Sequence, residues 1–110
     1  MLTVDKDNTI HLTRGDTARL QIDRATNTVT KKDYIFTAND TVKFTIKKTA
    51  IDSSPTVQIT VPGGEAIHIK PQDTVSLAAG KYVYDVKLTT AEGDVYTVVE
   101  LATFEVTKGT

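Results

Sequence analysis

Apolar and polar residues alternate with a period of two along most of this 110-residue chain. That rhythm constrains the fold more than any other feature, because successive side chains of a strand point to opposite faces. Val42, Phe44 and Ile46 alternate with Thr41, Lys43, Thr45 and Lys47. After Gly80, the residues Tyr82, Tyr84, Val86 and Leu88 share one face of a longer block. Ile10 and Leu12, then Ala18, Leu20 and Ile22, then Val57, Ile59 and Val61 repeat the pattern, as do Ile67 and Ile69. Val95 to Val99 and Thr103 to Thr107 close the series, the latter with Phe104 and Val106 inward.

Turn-forming clusters separate these runs. They are Arg14-Gly15-Asp16, Ala38-Asn39-Asp40, Asp52-Ser53-Ser54-Pro55, Pro62-Gly63-Gly64 and Ala91-Glu92-Gly93-Asp94. Residues 23–33 are polar and read as a long loop. Pro71-Gln72-Asp73-Thr74 suits one helical turn, with proline early in it. The spacing predicts an all-β antiparallel sandwich of seven or eight strands, forming a single domain over residues 1–110.

Composition sharpens this expectation. The chain has 20 Thr, 12 Val and 8 Ile but only 6 Leu. β-Branched residues are stiff at χ1 and pack well on a pleated surface. Val and Ile fill most inward positions, and Thr suits the wet faces. The absence of Cys removes disulfides, thiol catalysis and thiolate metal ligation. The start, Met1 to Asp7, has neither a basic stretch nor an apolar run, so neither a signal peptide nor a membrane span is expected. A net charge of −1 argues against binding to nucleic acid or to a membrane surface.

No catalytic constellation is legible. The three serines, Ser53, Ser54 and Ser76, lack a nucleophile-elbow context. His11 and His68 each sit between two inward apolar residues, which places both rings on a solvent face. Asp5 and Asp7 lack the rest of a calcium loop and read as a fraying terminus. Gly63-Gly64 is followed by Glu65 rather than by a phosphate-binding lysine. Lys31-Lys32 and Lys47-Lys48 have no interleaved aromatics. Arg14-Gly15-Asp16 matches the triplet read by integrins, but a tight turn between two strands accounts for it. Asn39-Asp40-Thr41 fits a glycosylation sequon, which means little without a secretory signal. The expectation is a non-enzymatic protein without cofactor or metal, working through its surface.

Three stretches carry a resemblance. They are Ile10 to Leu20, Asp40 to Lys48, and Lys70-Pro71-Gln72-Asp73-Thr74 with Leu77 continuing through Gly80 to Thr89 and the Glu92-Gly93-Asp94-Val95 turn. Their order and spacing resemble small Ig-like proteins of phages and prophages of Gram-positive bacteria, and the N-terminal domain of phage upper baseplate proteins. The resemblance implies an Ig-like virion protein, associated with a tail or baseplate, made in the host cytoplasm and packed against other phage structural proteins. It carries no catalytic residues over. In an Ig-like sandwich, Tyr82 would be the corner tyrosine of strand F, and Tyr84 would fill the core position that often holds Cys. The segment from Pro71 to Leu77 would cross from one sheet to the other. The Cys pair and core Trp of antibody domains are missing.

The last strands suggest an interaction face. Val95, Thr97 and Val99 alternate with Tyr96 and Val98, so this strand is apolar on both sides, and Val83 lies opposite the Tyr82–Tyr84 face. Val83, Tyr96 and Val98 could form an outer patch that docks a second copy or another tail protein. A bulge near Glu100-Leu101-Ala102, switching which side faces inward, would explain the same pattern. A host-surface adhesion or carbohydrate-binding module is the alternative function, and it would need exposed aromatics.

Overall fold

A computed structural model describes residues 2–21, 24–26, 33–49, 51 and 54–108. Among them are ten strands and one helical turn. The strands are β1 (Leu2–Val4), β2 (Ile10–Thr13), β3 (Ala18–Leu20), β4 (Arg24–Thr26), β5 (Asp33–Ile35), β6 (Thr41–Lys47), β7 (Val57–Pro62), β8 (Ile67–Ile69), β9 (Gly80–Thr89) and β10 (Val95–Thr107). The turn α1 (Pro71–Thr74) lies between β8 and β9 and begins with its proline.

The main sheet has six strands in the order β1-β2-β10-β9-β6-β7. It is mixed rather than antiparallel throughout. β2 and β10 run parallel, with Phe104 opposite Ile10 and Val106 opposite Leu12. A parallel neighbour needs a long crossover, and here nearly the whole chain supplies it. β3 and β8 form a second, two-stranded sheet with Ala18 opposite Ile69. β4 and β5 pair antiparallel where the polar composition suggests a loop. With β1, this pair raises the strand number above the expected seven or eight. Residues 27–32 and Ile22 lie outside the described residues.

Most inward positions expected from alternation are buried, and the outward Thr45, expected on a wet face, is buried as well. Ile10, Leu12, Val42, Phe44, Ile46, Tyr84, Val86, Leu88, Phe104 and Val106 of the main sheet are each at most 3% exposed. Ala18, Ile67 and Ile69 of the β3–β8 pair belong to the same hydrophobic cluster. Three rings tie the centre together. Phe44 lies 5.4 Å from Tyr84 and 6.1 Å from Phe104, the latter edge-on. At the edge, Val57, Ile59 and Val61 of β7 are only half-buried.

Hydrogen bonds fix the corners. The Lys70 N–H donates to the Asp73 carboxylate at 2.8 Å, which holds the start of α1. The Tyr82 hydroxyl donates to the Ala78 carbonyl, four residues upstream, at 2.8 Å. The Tyr84 hydroxyl donates to the Asn8 carbonyl. The N-terminus does not fray at Asp5 and Asp7. β1 pairs with β2, and the connecting turn is closed by Asp5 N–H to Thr9 carbonyl and Asn8 N–H to Asp5 carbonyl bonds.

Candidate functional site

Antiparallel partners on adjacent strands share a face, so the register defines what the main sheet presents to solvent. Opposite the core, Lys43 of β6 faces Lys87 of β9, Thr45 faces Asp85, and Lys47 faces Val83. Lys43, Lys47 and Lys87 line a shallow groove with Thr45, Gln58 and Asp85. None of the three lysines has an ion-pair partner among the described residues. Lys43 and Lys87 stand directly across from one another, an arrangement that costs stability between like charges.

Further along the same face, the charges are paired. Glu105 of β10 lies opposite Lys81 of β9 and opposite His11 of β2. The Glu105 Oε1 is 2.6 Å from His11 Nδ1, and the Asp5 Oδ2 is 2.8 Å from His11 Nε2. Hydrogen bonds that the ring donates to the Asp5 carboxylate first, then to Glu105, raise the imidazole above its ordinary value. Only the protonated ring can donate from both nitrogens. His11 is thus on the solvent side, as alternation places it, but it bridges two carboxylates from different parts of the chain.

One end of the molecule gathers the turn of residues 91–94, the segment from Tyr34 to Asp40 and the Gly63-Gly64 turn. Asp40 is 2% exposed and organises this end. Its carboxylate accepts from the Tyr34 hydroxyl at 2.8 Å and from the Thr37 N–H at 2.9 Å. Its carbonyl accepts from the Gly63 N–H. The bonds from the Thr37 backbone, and then from Tyr34, hold the Asp40 carboxyl below its usual range despite its burial. Tyr34, Ile35, Val95 and Tyr96 are exposed here, at 42%, 64%, 60% and 56%. The acidic Glu92 and Asp94 lie in the intervening exposed turn.

The residues singled out as an interaction face do not lie together. Val83 is on the outer face, beside Lys47 and opposite Thr103. Tyr96 lies opposite the buried Leu88, and so belongs to the other side of the sheet. Val98 is half-buried against the core. The hairpin register alone sets Tyr96 opposite Leu88 on the inward side, and two register shifts follow in β10, one between Thr97 and Val99 and one between Val99 and Ala102. Each inserts an extra residue into β10, and two insertions restore the original alternation before Phe104.

The Arg14-Gly15-Asp16 turn is tied into the fold. Gly15 has φ +83°, a conformation that suits glycine. Its N–H donates to the hydroxyl of the fully buried Thr74 at 2.9 Å. The Arg14 guanidinium reaches the Leu77 carbonyl. Among the described residues, no cluster of His, Cys, Asp and Glu is arranged to hold a metal ion. No described helix is long and apolar enough to cross a membrane. Comparison with protein-family models, with curated proteins and with solved structures finds no match for this chain.

Proposed function

We propose that this chain is an Ig-like sandwich serving as a structural protein of a phage or prophage virion, in the tail or baseplate, through protein–protein packing. The observation that carries the Ig-like reading is the Tyr82–Ala78 hydrogen bond at the start of β9, just after the crossing through α1. A tyrosine bonding back to the backbone at this corner is a hallmark of such sandwiches. Tyr84 stands two residues on, buried against Phe44 and Phe104. The strand neighbours also suit it: β3 pairs with β8 in one layer, while β10, β9 and β6 are adjacent in the other. The virion assignment rests on the resemblance of the three stretches from Ile10 to Leu20, Asp40 to Lys48 and Lys70 to Val95. Its partners would be other phage structural proteins or further copies of itself.

The test is the content of purified particles. The reading expects the protein in them at a fixed copy number, and its absence from particles would refute it. A second reading, a host-surface adhesion or carbohydrate-binding module, is favoured by one observation: Tyr34 and Tyr96 are both exposed at the end that carries the 91–94 turn. Glycan-array binding that is lost on Tyr96→Ala would support that reading instead.

A further inference from the structure

The molecule carries two unlike surfaces whose charges complement each other. On the outer face of the main sheet, Lys43 and Lys87 stand opposite one another, Lys47 lies four residues along β6, and Asp85 between them leaves the three lysines in excess of one carboxylate. At about 3.3 Å per residue, Lys43 and Lys47 are roughly 13 Å apart along the strand. The half-buried Val83 gives this face an apolar patch beside Lys47. At the end of the molecule, Glu92 and Asp94 project from a closed hairpin turn. That turn is held by the Thr90 N–H to Asp94 carbonyl bond and the Asp94 N–H to Thr90 Oγ1 bond. Both carboxylates are left outside these bonds, and Val95 and Tyr96 next to them are exposed.

We propose that the lysine face of one copy receives the acidic 91–94 turn of a second copy, giving head-to-tail self-association. The proposal rests on the structural-protein reading and names the partner for it. Each half supplies what the other lacks. The lysines meet carboxylates, which relieves the Lys43–Lys87 repulsion, and Val83 meets Val95 and Tyr96. An interface made of two different patches is heterologous, and it builds rings or open filaments rather than closed dimers. It also explains why Val83 and Tyr96 need not share a face: they belong to opposite halves of one contact. The residues lining the groove include no aromatic platform for base stacking, which disfavours single-stranded nucleic acid as occupant.

Charge reversal tests this contact. Sedimentation velocity on the full chain, from micromolar to millimolar at low salt, should show assemblies growing with concentration. They should weaken roughly tenfold or more on moving to high salt. The face variant K43E/K87E and the turn variant E92K/D94K should each be monomeric, with thermal melts showing that both remain folded. Mixing the two variants should restore association, because the reversed turn fits the reversed face and the unchanged turn fits the unchanged face. A wild-type chain that stays monomeric throughout would overturn the proposal. So would association that survives both reversals, or failure of the folded variants to reassociate when mixed. Sensitivity to the face variant but not to the turn variant would also overturn it, in favour of an acidic segment from another protein. A chain that self-associates in this way but is absent from particles would refute the virion reading and leave the contact standing.

Discussion

His11 and Glu105 are 94 positions apart in the chain and 2.6 Å apart in space. The parallel pairing of β2 with β10 makes them neighbours, and Asp5 completes the bridge from the other side of the ring. The bridge ties the N-terminal hairpin to the last strand. Because the folded imidazole is raised above its ordinary value of 6.5, its contribution is fully present below that pH. It is lost as pH rises through the raised folded value. The stability difference between wild type and His11→Gln should therefore shrink as pH climbs from 6 toward 9. Denaturant melts across that range would measure it, and a difference independent of pH would show that the bridge does not titrate as described.

Tyr84 offers a second titration. Burial, aided by the nearby Asp7 charge, pushes its hydroxyl up to about 12. Ultraviolet titration of the four tyrosines should include a phenol that ionises near pH 12. That late step should vanish in Tyr84→Phe. The same variant loses the bond to the Asn8 carbonyl, which should cost about 1 kcal/mol in chemical denaturation.

Phe44 lies at the centre of the ring cluster and is fully buried. Phe44→Ala removes its contacts with Tyr84 and Phe104 and leaves a cavity that β6 cannot close. A loss of roughly 3–5 kcal/mol is expected. Ile59→Ala on the half-buried edge strand β7 should cost distinctly less, and equal losses would contradict the placement of the core.

Gly63 is required by a close approach rather than by its backbone angles. A Cβ at this position would collide with the Thr37 carbonyl oxygen and press on Phe36 and Asp40. Gly63→Ala should destabilise by roughly 1–3 kcal/mol. Gly64→Asn, one residue on, meets open space at a positive φ that Asn tolerates, and should cost less. Thermal melts of the two variants distinguish these cases.

Alternation alone determined the main strands and their inward residues. A period of two leaves Val42, Phe44, Ile46, Tyr82, Tyr84, Val86 and Leu88 only one side on which to be buried together. The Pro71 turn was legible for a similar local reason, since proline is pre-set for the first helical position. The tertiary structure decided what depends on contacts between distant segments. The polar stretch at residues 23–33 gave no strand rhythm, yet β4 within it pairs with β5 through the backbone, which needs no apolar pattern. The register of β10 against β9 set Tyr96 opposite the inward Leu88, away from Val83, and placed two bulges between Thr97 and Ala102. The three-group bridge at His11 and the lysine row on the outer face are set by strand order. Sequence fixes which side of its own strand a residue occupies, but only pairing between strands decides which charges it meets.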